Sequence, residues 1–164
     1  MGVAIELYRI DDRLIHGQVV VGWGSPLDIQ FLVLVDDDVA DSEWEQELYR
    51  MGTPPEMAIY FETVDSAAGQ LDHYRRDERR GILLTSSIQT MRRLAEAASI
   101  PAVNLGGIHH RTGRTERLRY VFLDGEEEEA LRSLADRGVI VTAQDVPAAR
   151  AVPLSELLAA GQEG

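Results

Sequence analysis

The sequence predicts an α/β protein: an open, mostly parallel, doubly wound sheet with helices on both faces. Short apolar runs alternate with helical patterns along the whole chain, as expected of parallel strands joined by crossover helices. The 164 residues contain no internal repeat, linker or composition break. We therefore expect a single domain over residues 1–164.

In the first half of the chain, apolar runs at residues 3–8 and 30–35 predict strands, the second buried on both faces. Residues 18–23 predict the start of a helix between them. Another helix is expected over about residues 41–51, because three apolar side chains recur there at helical spacing and would face the core. These three are Trp44, Leu48 and Met51.

Further along, short apolar runs predict strands at residues 57–61, 81–85 and 102–105. Helical patterns separate them, over residues 64–76 and 87–98, the latter beginning with a serine suited to its N-cap.

The last part of the chain adds predicted strands at residues 119–123 and 139–143, on either side of an acidic helix. That helix begins with residues 124–129, whose carboxylates suit a first turn or form a solvated face. A closing helix is expected over residues 153–158, with proline in its first turn.

Composition excludes several classes of chemistry. All 16 basic residues are arginine, and there is no lysine or cysteine. This excludes a Walker-type P-loop, lysine Schiff bases, thiol catalysis and thiolate metal sites. The net charge of −12 argues against nucleic acid as a partner. No apolar run approaches the roughly 20 residues that span a bilayer, and no signal pattern is present, so we expect a cytoplasmic protein.

The segment after the first predicted strand carries the clearest chemical signal. It places His16 at a strand-to-helix turn, with Asp11, Asp12 and Arg13 just before it. In α/β sheets, ligands gather beyond the carboxyl ends of strands, where helix N-termini attract anions. The arrangement indicates a histidine nucleophile that handles phosphate. The alternative is a structural histidine beside a salt-bridged turn.

In the catalytic interpretation, His16 is the nucleophile and Arg13 contacts the phosphoryl oxygens with its two-pronged guanidinium. Either Asp11 or Asp12 would accept a hydrogen bond from the non-reacting ring N–H of the histidine.

The predicted phosphate-binding residues stand first at the helix start after His16, and further candidates follow the fourth and fifth strands. They are Gly17, Gln18, Ser86, Ser87, Gly106 and Gly107. Ser87 is equally well explained as a helix cap, and a glycine pair at a strand end is often only a turn. We expect no metal, because the adjacent His109 and His110 would rarely face one ion together.

A basic patch contrasts with the acidic chain. Residues 111–119 hold four arginines and one glutamate. If this segment joins Arg9 and Arg13 in a rim around His16, an acidic partner would dock there. The predicted docking residues are Arg9, Arg111 and Arg114.

Residues 9–19, with Trp23, resemble the active-site loop of the IIB subunits of the mannose/fructose/sorbose phosphotransferase system. Other stretches resemble the same family in order along the chain: residues 35–41, 103–108, 111–114 and 134–139. One departure is Arg114, where the family pattern would have lysine.

The resemblance implies a transferase component that carries a phosphoryl group on the δ1 nitrogen of His16 without a cofactor. The group would come from the phosphohistidine of a IIA partner and pass to a sugar entering through membrane subunits IIC and IID, with which the protein would associate peripherally. Family members often associate, so a homo-oligomer is among the expected states. Two alternatives stay open: a regulatory phosphoprotein without a permease, and an α/β binding module whose His16 is never phosphorylated.

Overall fold

The computed structural model describes residues 4–15 and 22–160. Its strands are β1 (Ile5–Ile10), β2 (Phe31–Val35), β3 (Ala58–Glu62), β4 (Gly81–Thr85), β5 (Ala102–Leu105), β6 (Thr115–Leu118), β7 (Val121–Leu123), β8 (Ile140–Ala143) and β9 (Val152–Pro153). Its helices are α1 (Asp37–Ala40), α2 (Glu43–Met51), α3 (Val64–Arg75), α4 (Ile88–Ala97), α5 (Gly125–Asp136) and α6 (Leu154–Ala160).

Within these ranges, seven strands form one sheet in the order β3-β2-β4-β1-β5-β8-β9. All neighbouring strands are parallel except β8 and β9. β2 and β4 are buried along their full length, which explains why their sequences are continuous apolar runs. The predicted fold class, a mostly parallel α/β sheet, is confirmed.

Two apolar clusters cover the two faces of the sheet. Side chains of α3, α4, α5 and α6 pack in the larger cluster. The smaller one contains Trp23, Val39 of α1 and, at its border, Tyr49 of α2. Alternate residues of β2 enter one cluster and then the other, so this strand joins the two halves of the core.

The predicted core stripe of the helix over residues 41–51 is wrong. The helix begins instead at the N-cap Ser42, after the short α1, and the three side chains of the stripe are exposed: Trp44, Leu48 and Met51. The cause is Gln46, whose Nε2 donates hydrogen bonds of 3.0 Å to two carbonyl oxygens at the end of α1. This contact turns Gln46 and Tyr49 toward the protein and the apolar stripe toward solvent.

The strand predicted at residues 119–123 does not join the main sheet. Only Val121–Leu123 is a strand there, and it pairs antiparallel with β6 in a separate hairpin. No helix lies between β5 and β7, and a parallel neighbour would require a crossover of about a dozen residues or more, usually helical.

Two boundaries also differ. The first strand extends to Ile10, so that Asp11 follows it directly, and α6 begins at Leu154 because Pro153 pairs with β8. The helix start predicted at residues 18–23 lies largely outside the described residues.

Candidate functional site

The loops after β1, β4 and β5 meet beyond the carboxyl ends of these strands, because the three strands are parallel neighbours in the sheet. Ile10, at the end of β1, lies beside Thr85 and Leu105, which end β4 and β5. A hydrogen bond of 2.9 Å from the backbone N of Asp12 to the oxygen of Gly107 ties two of the loops together. They border an open pocket of about 540 Å³. Its lining residues are Asp12, Arg13, Ser86, Ser87, His109, His110, Arg111 and Arg114.

Asp11 binds the two arginines of the first loop. Its Oδ1 accepts hydrogen bonds from the backbone N and Nε of Arg13, at 3.1 and 3.2 Å. Its Oδ2 accepts from Nη2 of Arg13 at 3.3 Å and from Nη2 of Arg9 at 3.4 Å. Because the Asp11 side chain has no solvent exposure, these donors replace the water that its charge would otherwise bind. The contact orients Arg13, whose side chain is 36% exposed and lines the pocket.

The prediction that Arg9 is a docking residue is wrong, because its side chain is fully buried. Its Nη1 donates to the side chain of Asn104 and to the backbone oxygen of Gln144, and its Nη2 donates to the backbone oxygen of Asp145. The guanidinium also lies 4.8 Å from the ring centre of Trp23. Burial lowers the pKa of Arg9, and the nearby carboxylate of Asp11 opposes that shift. Arg9 therefore supports the loops from beneath.

The glycine pair after β5 is explained by its contact with these arginines. A Cβ atom on Gly106 would lie 2.3 Å from Nη2 of Arg9 and 2.8 Å from Oδ2 of Asp11. A Cβ atom on Gly107 would lie 3.3 Å from Nη2 of Arg13. Both backbone N–H groups already have acceptors, the oxygen of Ile10 and Oδ2 of Asp11. The structure thus assigns the pair a packing role, and the prediction that it binds phosphate gains no support.

The first loop contains a sterically restricted residue. Leu14 has a φ of +54°, in the left-handed region that a branched side chain rarely adopts. Its backbone N donates to the oxygen of Asp11 at 2.9 Å, and its side chain is buried in the smaller apolar cluster. These contacts offset the local strain and close a turn immediately after β1.

Asp12 has a partner that the sequence reasoning missed. Its Oδ1 lies 2.6 Å from Nδ1 of His109, and its Oδ2 accepts a hydrogen bond of 2.7 Å from the backbone N of His109. The histidine side chain is 60% exposed at the pocket. The available signal was the position of His109 just after the fifth strand, whose loop must meet the one carrying Asp12.

His16, Gly17 and Gln18 lie outside the described residues. The predictions that His16 carries the phosphoryl group, that Asp11 or Asp12 orients its ring, and that Gly17 and Gln18 bind phosphate therefore stay predictions. Within the described part of the loop, the two carboxylates already accept hydrogen bonds from Arg9, Arg13 and His109.

Ser86 and Ser87 line the pocket where α4 begins. Ser87 is the N-cap of α4, as predicted, and its Oγ accepts a hydrogen bond of 3.1 Å from the backbone N of Thr90. Ser86 donates to Oδ2 of Asp36 at 2.9 Å. The capping role is confirmed, while phosphate binding by these serines stays a prediction.

The structure separates the two docking arginines predicted after β5. Arg111 is exposed at the pocket. Arg114 is buried and makes a two-pronged contact with Glu127 of α5, at 2.8 and 2.7 Å, so its prediction as a docking residue is wrong. Its Nη1 also donates to the oxygen of His109, which anchors this loop to α5. Glu127 appeared in the sequence only as part of an acidic first turn, and no local pattern pairs it with Arg114.

No group of three or more His, Cys, Asp or Glu side chains in ranges 4–15 and 22–160 is arranged to hold a metal ion. No helix in the same ranges is both long and apolar enough to cross a bilayer.

Known proteins match this chain over nearly its whole length. A family model described as "PTS system sorbose subfamily IIB component" matches residues 5–163. The chain is 35% identical over 147 residues to the N-acetylgalactosamine-specific phosphotransferase enzyme IIB component 1 of Escherichia coli (strain K12), covering 87% of this chain and 91% of that protein. It is 31% identical over 138 residues to the mannose-specific EIIAB component of the same strain, covering 84% of this chain and 43% of the relative.

A solved structure also matches nearly the whole chain. The IIBSor domain of the sorbose permease from Klebsiella pneumoniae superimposes with a TM-score of 0.85 at 27% identity, covering 94% of this chain and 96% of that one. The shared parallel sheet and the matched sequence define a component of a sugar phosphotransferase system. Within that class, the chain belongs to the sorbose subfamily of IIB components.

Proposed function

We propose that the protein is a phosphocarrier that accepts a phosphoryl group from phospho-IIA on His16 and passes it to a sugar taken up through a IIC/IID permease. The observation that carries this proposal is the guanidinium of Arg13, which buried Asp11 holds at the pocket just before His16 in the chain. Family membership supports the same role. The EIIAB relative supports IIA as the direct donor, because its name joins an A and a B component in one protein.

Two transfers of the same kind make up the proposed cycle. In the first, the Nδ1 lone pair of His16 forms a bond to phosphorus as the bond from phosphorus to the IIA histidine breaks. The N–H on the far side of each ring stays in place, so the IIA ring leaves as neutral imidazole. In the second, a sugar hydroxyl gives its proton to solvent water and its oxygen bonds to phosphorus, while the bond from phosphorus to Nδ1 breaks and His16 leaves as neutral imidazole.

The described residues supply what a phosphoryl group requires at such a site. The transition state is loose, with negative charge spread over its oxygens, so catalysis depends on positioning and on fixed positive charge. Arg13 provides a fixed guanidinium, and the N-terminus of α4, with Ser86 and Ser87, provides a second favourable pole at the same pocket.

Phosphohistidine detection tests the proposal. The purified chain would be incubated with phosphoenolpyruvate, the general phosphocarriers of the system and the cognate IIA. We expect one acid-labile phosphoryl group per chain, located on His16 by mass spectrometry. A chain that stays unlabelled while IIA is fully phosphorylated would instead be the unphosphorylated α/β binding module.

The transport role has its own test. A transport component should be encoded beside genes for IIC and IID, and phosphorylated protein should deliver its group to sugar at membranes that contain those subunits. This requires the protein to associate with the cytoplasmic face of the permease. A labelled chain whose phosphoryl group never reaches sugar at such membranes would be the regulatory phosphoprotein.

Arg13→Lys is expected to slow phosphoryl transfer although it keeps the charge. A lysine cannot reproduce the two-pronged contact with Asp11, and the positive charge would lose its fixed place at the pocket. We expect a loss of about 2–4 kcal/mol of transition-state stabilisation, measured as the single-turnover rate from phospho-IIA. Arg111→Lys, at an exposed position of the same pocket, is the control. An unchanged rate in Arg13→Lys would make Arg13 a structural ion-pair residue only.

Arg111→Glu is expected to lower the second-order rate of transfer from IIA several-fold, because Arg111 is an exposed positive charge at the pocket. Added salt should reduce the wild-type rate in the same direction, since the Debye length is only about 10 Å at 0.1 M. Arg137→Glu gives the same change in net charge at the exposed C-cap of α5, the end away from the pocket. Equal rates in the two variants would show that overall charge, and not a docking face at Arg111, controls the encounter.

A further inference from the structure

Helix α2 presents an apolar stripe to solvent. Trp44 is 72% exposed, Leu48 49% and Met51 76%. Their spacing places them on one face of the helix. The opposite face is attached to the protein by the Gln46 hydrogen bonds to α1 and by Tyr49, which packs against the smaller apolar cluster. The helix therefore cannot roll to bury the stripe without breaking those contacts.

Negative charge surrounds the stripe. Acidic side chains lie on α2 itself and on the segment just before it: Asp38, Asp41, Glu43, Glu45 and Glu47. The one basic residue of α2, Arg50, lies over the ring of Phe61 at 5.1 Å and within 3.6 Å of Glu47. Exposed apolar side chains with a polar rim are typical of an interaction site, and tryptophan and methionine are enriched in such sites.

This charge selects among the surfaces that could cover the stripe. A second copy of the chain would bring two acidic rims together. A lipid surface with anionic headgroups would repel the rim. The complementary partner is a protein surface that combines apolar side chains with lysine and arginine.

Cytoplasmic loops of membrane proteins have that chemistry, because they carry an excess of lysine and arginine. We propose that the α2 stripe docks the protein on the cytoplasmic face of the permease subunits IIC and IID. The assignment rests on the proposed transport function for the identity of the partner, while the surface itself comes from the exposure and charge of α2.

The position of α2 in the fold agrees with this assignment. The helix follows β2 and therefore lies at the carboxyl ends of the strands, where the pocket is also found. Asp36, between β2 and α1, accepts the hydrogen bond from Ser86 at that pocket. In strand order, β2 and Arg111, which follows β5, lie on opposite sides of β1. The apolar stripe with its acidic surroundings and the exposed Arg111 at the pocket are thus separate surfaces of opposite charge.

The test uses the full chain with Trp44→Ser, Leu48→Gln and Met51→Gln combined. Ile140→Gln is the matched control. Ile140 is also a large apolar side chain and is 66% exposed, but it lies at the start of β8, at the amino-terminal end of the parallel strands. The first readout is the rate of phosphoryl acceptance from phospho-IIA in solution. The second is the apparent KM for the phosphorylated protein in sugar phosphorylation by inverted vesicles containing the IIC and IID encoded beside this chain's gene.

We expect the stripe variant to accept phosphoryl groups at the wild-type rate and to raise the vesicle KM by about 30-fold or more, as loss of a tryptophan anchor does at protein interfaces. Ile140→Gln should change neither readout. An unchanged KM in the stripe variant overturns the docking assignment. So does wild-type protein that binds vesicles of phosphatidylethanolamine and phosphatidylglycerol without permease, or that forms a dimer which the stripe variant abolishes in sedimentation. A wild-type chain that accepts no phosphoryl group would instead overturn the proposed function.

Discussion

His16→Ala is expected to leave no phosphohistidine on the chain after incubation with phospho-IIA. Removing the nucleophile removes the only atom to which the proposed mechanism attaches phosphorus, so labelling should fall to background. Arg13 and the pocket would remain, but positioning and positive charge cannot accept a phosphoryl group without a nucleophile. Circular dichroism and the urea midpoint of the variant would show that the fold persists.

Two other histidines serve as controls for this result. His73, exposed on α3, should be replaceable by alanine without effect on labelling. His109 lies at the pocket in contact with Asp12, and His110 lines the same pocket, so these two histidines are the alternative candidates for the nucleophile. Labelling that survives His16→Ala and disappears in His109→Ala or His110→Ala would move the site and contradict the proposed role of His16.

Asp11→Asn is expected to be among the most destabilising single changes in the chain. The amide keeps the size of the carboxylate but removes its charge, and it leaves the fully buried guanidinium of Arg9 without the carboxylate that contacts it, so that Asp145 is the remaining nearby negative charge. Breaking a buried ion pair on one side costs about 3–5 kcal/mol, because an uncompensated charge stays in the interior. Urea unfolding followed by circular dichroism measures this free energy.

Asp12→Asn is the matched control, because it makes the same chemical change one residue along the loop. The partner of Asp12 is an exposed histidine, so we expect a loss below about 1 kcal/mol. The double variant Arg9→Met with Asp11→Asn should recover part of the stability lost in Asp11→Asn, since it removes the buried charge as well. Equal stability of Asp11→Asn and Asp12→Asn would contradict the role assigned to the buried pair.

The parts of the fold that could be predicted are those in which the local sequence pattern also indicates which side chains are buried. β2 and β4 are buried on both faces, and their short, continuous apolar sequences are typical of an interior strand of a parallel sheet. The Ser87 cap is equally local. α2 is different, because three apolar residues at helical spacing can face inward or outward. A tertiary contact, from Gln46 to the end of α1, decides between these orientations, and spacing alone does not encode it.

For the candidate site, the sequence predicted the location of the loop better than the roles of its arginines. A histidine after a strand and beside an arginine is a local signal, and the described part of that loop does border the pocket. Charge, however, does not reveal burial. For Arg9 the missing information was the length of β1, which extends past the predicted residue 8 to Ile10 and so places Arg9 within an interior strand. A charged residue at such a position is buried only when it is paired. For Arg114 no local signal existed, because its acidic partner Glu127 is on another element, thirteen residues away.

The close packing of Gly106 against Arg9 and Asp11 also restricts how this sequence can diverge. Replacing Arg9 alone would leave the buried carboxylate of Asp11 with one cation fewer. Replacing Asp11 alone would leave the buried guanidinium of Arg9 without the carboxylate that contacts it. A side chain at position 106 has no room while both remain. Each single step therefore passes through an unstable intermediate, so the three positions should drift together or stay as they are. The exposed Arg111 is under no such restriction, and recognition of a new partner could evolve there while the support beneath the loops is unchanged.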